Sequence, residues 1–206
     1  MSQVKLTKNE LRQQQIRLAR LEKYLPTLKL KKSMLQTEVL EAKMLMQKIV
    51  LEEKKTLEEL KPATTLLSMA PGWDLESLLD VETLQLAAEN IAGVEVPVFV
   101  RIDFVKKHHP FSQTPLWWDR LVELAKEHRT LVLQAYVARL RLEALEKELR
   151  EVSIRVNLFE KILIPRALTE IKRIKIFLQD QELAAVARAK VAKSKHRPEG
   201  VQEMLA

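Results

Sequence analysis

Residues 11–60 read LRQQQIRLAR LEKYLPTLKL KKSMLQTEVL EAKMLMQKIV LEEKKTLEEL. Counting by sevens from Leu11 lands on Leu18, Leu25, Lys32, Val39, Met46, Glu53 and Leu60, and a companion seam runs through Leu21, Leu28, Leu35, Ala42 and Ile49. Most of these positions are apolar, and an apolar repeat of seven sustained over several heptads is the signature of a coiled-coil helix. Thr7 can cap its start, with Glu10 three residues on completing a capping box, and Pro62 is expected to stop it. Pro26 falls inside the run, but the heptad phase continues from Leu21 to Leu28, so a kink is expected there and not a break.

A second array begins at Leu124 and continues through Leu131, Ala138, Leu145, Val152 and Phe159, with its companion at Leu121, Ala135, Leu142, Leu149, Val156 and Leu163. The two arrays match in length, so the expected fold is mainly α: a long antiparallel two-helix coiled coil with a small mixed α/β lobe inserted at the hairpin end. The domain boundaries that follow are 1–61 for the N-terminal helix, 62–116 for the lobe, and 117–206 for the C-terminal helix with a basic tail. With the turn in the lobe, residue 60 lies near 117 and residue 6 near 171. The overhang beyond carries Arg188, Lys190, Lys193, Lys195 and Arg197. Beyond Pro165 the apolar positions become Leu168, Ile171, Ile174 and Leu178, a phase slip that a proline kink would accommodate.

The lobe is marked by Pro62, Pro71, Gly72, Gly93, Pro97, Pro110 and Pro115. Asp74 could cap a short helix carrying Leu75, Leu78, Leu79 and Leu86 and ended by Gly93. From Val94, every second residue through Val96, Val98, Val100, Ile102 and Phe104 is apolar, the period of a half-buried strand. Pro97 pushes that strand to a sheet edge, to be covered by the lobe or by a partner. Trp117 and Trp118 stand at the junction, one suited to the lobe core and the other to a partner.

The chain has 206 residues, three glycines, eight prolines and no cysteine, which favours few, long elements and removes disulfides, thiolate metal sites and cysteine nucleophiles. No apolar run is long enough to span a bilayer and no signal-peptide core opens the chain, so a cytoplasmic protein docked to something membrane-bound is expected. Net charge is +7 and unevenly spread. Residues 1–32 hold nine Lys or Arg against Glu10 and Glu22, and residues 161–197 hold ten against three acids, a net of +7 for each segment. Antiparallel pairing brings both basic segments together and makes an acidic partner the natural complement.

Catalysis finds no footing in this sequence. There is no Gly-rich phosphate loop, no HExxH, no Ser/His/Asp cluster, and no cofactor is expected. The adjacent His108 and His109 lack further ligands at metal spacing and read as a loop. Basic runs without interleaved aromatics argue against nucleic acid. Asn157 either lies in the seam and fixes register or faces solvent.

The run Ile154, Arg155, Val156, Asn157, Leu158, Phe159, Glu160, Lys161, Ile162, Leu163, Ile164, Pro165, Arg166 closely resembles the RVNALE…IPR signature of the D subunit of V-type and A-type ATPases. Residues 6–11 look like that family's N-terminal PTK-x-x-L opening, and residues 90–97 like its NIxGVxVP stretch. Departures are Leu158 and Phe159 for Ala-Leu, Pro26 in the first helix, and residues 186–190 in place of an aromatic FFRLK-like tail. The resemblance implies a non-catalytic rotor axle whose termini enter a hexamer of catalytic and regulatory subunits. It further implies that the lobe binds the small F subunit of the rotor and seats on the membrane-side funnel subunit, without inserting into the membrane. On that reading Lys8, Arg12, Arg166, Lys172 and Arg173 face the hexamer, and Val96, Val98, Val100 and Trp118 form the lobe's partner surface. A stalk protein of a type III secretion or flagellar export ATPase is the rival reading, and such proteins lack the lobe. A basic coiled coil that binds nucleic acid is the rival from another class.

Overall fold

The computed structural model describes residues 5–67, 75–105, 115 and 117–195, with the side chains of residues 64 and 66 excepted. His108, His109, Asp74 and Arg197 lie outside the described residues. The element order is α1 (Lys8–Leu67), a 3-10 turn (Glu76–Leu78), β1 (Val81–Ile91), β2 (Val94–Phe104), α2 (Trp118–Leu158), a π turn (Phe159–Leu163) and α3 (Ile164–Lys195). The protein is mainly α, with long helices and one small two-stranded antiparallel sheet, as the sequence pattern predicts.

α1 starts where the capping residues place it. The Thr7 hydroxyl accepts the Glu10 backbone N–H at 3.3 Å, while the Glu10 carboxylate accepts the Gln14 amide instead of closing the box. Every seam position named for α1, from Leu11 to Leu60, is buried or half-buried, including Lys32 and Glu53, and most of the residues between them are exposed. The seam runs through Pro26 without a break in the helix.

Two compact units divide the chain. In the unit Leu30–Ser153, Leu35, Val39, Ala42 and Leu60 of α1 are buried together with Leu121, Leu124, Ala138, Leu142, Leu145 and Val152 of α2. The helices run antiparallel. Lys31 and Lys43 reach Glu148 and Glu146, each at 2.7 Å, whereas Leu60 packs in one cluster with Trp118, Leu121 and Ala125. In the unit formed by Met1–Lys29 and Ile154–Ala206, Lys29 bonds Glu160 at 2.8 Å and Lys8 reaches Glu182 at 3.5 Å, again antiparallel.

Pro62 does not end α1, which continues to Leu67. The lost backbone bond is offset because Ala63 and Leu67, beyond the proline, pack on the cluster of Leu60, Leu78, Trp118 and Leu121. Leu60 meets Trp118 as expected, but Lys8 stands near Glu182 and the fully exposed part of α3 begins near residue 179, later than 171.

The short helix expected across 75–86 is a single 3-10 turn followed by strand β1, and Gly93 ends no helix. Asn90, Ala92 and Gly93 decide the difference. Ile91 pairs with Val94, leaving Ala92 (φ 51°) and Gly93 (φ 83°) as the loop, and positive φ at both central residues is the requirement of a type I′ hairpin turn. The Asn90 side-chain oxygen accepts the Gly93 N–H at 2.9 Å. Once that turn forms, residues 81–91 have a strand to pair with, and pairing overrides the modest helical preference of their leucines and alanines.

A β-bulge then corrects the alternation expected for β2. Leu86 pairs with Phe99 and Gln85 with Arg101, so Val100 opposes no residue and is 56% exposed.

Alanine tolerates left-handed backbone poorly, at a cost of about 1–2 kcal/mol that asparagine largely avoids. Ala92→Asn is therefore expected to raise the melting temperature by about 2–4 °C, read by circular dichroism. A fall would contradict the turn.

Candidate functional site

The hairpin is seated on the helices of its own unit. Val96 and Ile91 point inward and are buried, and a crevice of about 260 Å³ between strand and helices is lined by Leu45 and Ile49 of α1, Pro97, Val98 and Phe99 of β2, and Val137, Ala138 and Arg141 of α2. Arg141 reaches Glu89 on β1 at 3.4 Å, and the Lys126 ammonium stands 5.7 Å from the centre of the Phe104 ring. Two-stranded sheets are marginal alone, so these contacts hold the hairpin in place.

The residues expected on the lobe's partner surface divide. Val100 is exposed and Val98 half-buried, but Val96 and Trp118 are each 1% exposed and are core residues. Trp118 packs edge-on to Trp117, with ring centres 6.1 Å apart, inside the cluster of Leu60, Leu78 and Leu121. The indole carries too much apolar area to leave outside when three elements converge on it. The exposed large apolar residues of the hairpin are Leu84, Leu86 and Val100, of which sequence reasoning places only the last at the surface. The other two lie on β1, whose residues carry a helical pattern.

The expected hexamer-facing cations all fall in the unit Met1–Lys29 with Ile154–Ala206. Lys8, Arg12, Arg166, Lys172 and Arg173 are exposed. Lys8 leans on Glu182, and Arg166 bonds Glu170 four residues on at 2.9 Å. Lys172 and Arg173 point outward between the buried Ile171 and Ile174.

Within the signature, Val156 is buried and Ile164 half-buried, whereas Arg155, Asn157, Glu160, Pro165 and Arg166 are exposed. Asn157 thus takes the solvent-facing alternative. Glu160 has an inward task, accepting Lys29 from α1. The cross-helix partners Lys29, Lys31, Lys43, Glu146 and Glu148 escape sequence reasoning, although charges flanking a heptad seam are where such pairs arise.

Among the described residues no group of three or more His, Asp or Glu is placed to hold a metal ion, and no helix is long and apolar enough to cross a membrane.

Long antiparallel helices joined on a heptad seam, with a β-hairpin seated on their flank, define a coiled-coil protein with a small inserted sheet. The chain belongs to the ATP synthase D-subunit family, whose model matches residues 10–194. It is 42% identical to the V-type ATP synthase D subunit of Chlamydia felis over 195 residues, covering 94% of each chain. Identity is also 42% to the corresponding D subunit of Chlamydia trachomatis serovar L2, over 94% of this chain and 96% of that one. With that of Chlamydia pneumoniae it is 40% over 194 residues, covering 94% and 93%. The resemblance read from residues 154–166 is therefore a family membership that spans nearly the whole chain.

Removing Trp118 separates core from surface. Trp118→Ala is expected to cost about 3–5 kcal/mol and lower the melting temperature by about 6–15 °C, whereas Val100→Ala should leave it within about 2 °C. Equal melting temperatures for the two variants would contradict the burial assignment.

Proposed function

We propose that this chain is the non-catalytic central rotor-stalk subunit of a V-type ATPase or ATP synthase, carrying torque between the hexamer that makes or hydrolyses ATP and the ion-translocating membrane ring. What supports the reading most is the near end-to-end match to the V-type ATP synthase D subunits, over a fold made of helices zipped along their length. Torque needs a body that resists twisting, and two helices locked by interdigitated side chains resist it better than one. Binding differences, in turn, need an asymmetric surface, since a ligand or partner shifts an equilibrium only by its differential interaction with the states. A shaft with an asymmetric surface, with Lys8, Arg12, Arg166, Lys172 and Arg173 exposed in one of its units, biases three otherwise equivalent catalytic sites unequally as it turns.

In this proposal the unit holding both chain termini enters the hexamer, and Lys8, Arg12, Arg166, Lys172 and Arg173 meet acidic groups lining its cavity. The hairpin, through Val98, Val100 and the neighbouring Leu84 and Leu86, faces the small F subunit of the rotor or the membrane-side funnel subunit. The chain works in the cytoplasm, peripheral to the membrane.

Reversing the charge at Lys8, Arg12, Lys172 and Arg173 to glutamate tests this. All four are exposed, so helix content should survive. Assembly with the catalytic hexamer should fall at least tenfold, measured by native mass spectrometry of the reconstituted complex, and the wild-type complex should weaken as salt rises. Unchanged assembly and unchanged coupling of ATP hydrolysis would sink the proposal.

A further inference from the structure

The helix that follows the hairpin contains one residue too many for its own seam. Val156, Phe159 and Leu163 follow the alternating spacing of three and four. Continued unbroken, that spacing places Arg166, Glu170, Arg173 and Phe177 against α1. The buried residues are instead Ala167, Ile171 and Ile174, each one position later, and beyond them Phe177 and Leu178 are both half-buried. The slip is confined to the π turn Phe159–Leu163, where the Ile164 N–H bonds the Phe159 carbonyl five residues back instead of four. A π turn is a helix with one residue inserted, and one residue is worth about 100° of rotation about the helix axis.

Pro165 follows directly. In a regular helix its ring would press on the carbonyl of residue 161, and it has no N–H to give. Widening the preceding turn moves that carbonyl away, so the proline and the extra residue relieve each other at the same place.

We infer that Pro165 pins the π turn at Phe159–Leu163, and that this pinned turn sets the rotational phase of α3, holding Arg166, Lys172 and Arg173 outward and Ile171 and Ile174 inward. Pro165 is a positioning residue: it acts on the basic face through the backbone. The consequence for hexamer contact rests on the function proposed above, while the phase-setting role rests on geometry alone. Leu168, which the sequence pattern places in the seam, is 50% exposed, and Ala167 takes its place, as the one-residue shift requires.

The test is a thermodynamic cycle on the full chain. Deleting the exposed Ile162 alone removes the π turn but leaves a proline in a regular helix, and should lower the melting temperature by about 6–10 °C. Pro165→Ala alone keeps the extra residue but frees it to migrate. Combining the two removes both irregularities and should return the melting temperature to within about 2 °C of wild type. Additive effects, or a combined variant that does not recover, would overturn the pin.

Facing is read separately, because the chain has no cysteine to interfere. Thiol labelling of Arg173→Cys should be at least tenfold faster than of Ile174→Cys in the wild-type background and in the combined variant, and Pro165→Ala should shrink that ratio. An unchanged ratio in Pro165→Ala would also overturn it. In reconstitution the combined variant should assemble with the hexamer as wild type does. Failure of the wild-type chain itself to assemble would count against the proposed function and leave the pin untouched.

Discussion

Burial of a narrow heptad stripe of one helix against the stripe of another is the interaction on which everything else rests. α1 shows why. Its residues are mostly exposed, and what it buries is confined to positions three and four apart. Each fully buried leucine or valine contributes about 1.5–3 kcal/mol, and a helix this thin has no other store of stability. The seam is not wholly apolar: Gln14 and Thr56 are buried in it. Thr56 answers its burial locally, donating to the carbonyls of Glu52 and Glu53, and Gln14 donates to Glu10. Such polar positions cost stability and restrict which registers are acceptable, so the repeat does not slide.

The hairpin depends on that seam and not the reverse. Two strands cannot form a core between them, and β1 is exposed over nearly its whole length. Val96 and Ile91 find their apolar surface only because α1 and α2 already stand side by side. The lobe core is built the same way: Trp118, Leu121 and Val122 at the start of α2 meet Leu60 near the end of α1, and Leu78 of the 3-10 turn closes over them. This explains why helix α1 ignores Pro62. One lost backbone bond is smaller than the apolar contact made by Ala63 and Leu67 beyond it.

These dependencies also explain which features are legible in the sequence. The long helices are, because a period of seven is repeated often enough to average over exceptions such as Lys32, Glu53 and Pro26. Thr7 is legible as a cap because capping is local. β1 is not. Its leucines and alanines read as helix until a turn at Ala92–Gly93 supplies a partner strand, and that is a long-range condition no window of residues displays. The burial of Trp118 is not legible because three elements converge on one side chain, and the bulge that leaves Val100 unpaired interrupts an alternation that the sequence presents as unbroken. The exposed cations are found by charge alone, and the facing of Arg166, Lys172 and Arg173 follows the π turn, whose only trace in the sequence is the phase slip at Pro165.

The cross-helix ion pairs add a constraint that hydrophobic burial cannot. Among the described residues, Lys8, Lys29, Lys31 and Lys43 of α1 each reach a glutamate, between Glu146 and Glu182, that belongs to α2, the π turn or α3. None is deeply buried, and pairs this exposed contribute about 0–1 kcal/mol each. Their value lies in discrimination. Apolar seams are interchangeable, so α1 could in principle zip against other apolar stripes or in other registers. The pairing of α1 with the helices that follow the hairpin matches these four lysines to four glutamates, which a slipped register would separate. Weak contacts that all point the same way therefore select this register over its slipped alternatives. Lys172 and Arg173, by contrast, are exposed on α3 beside the buried Ile171 and Ile174.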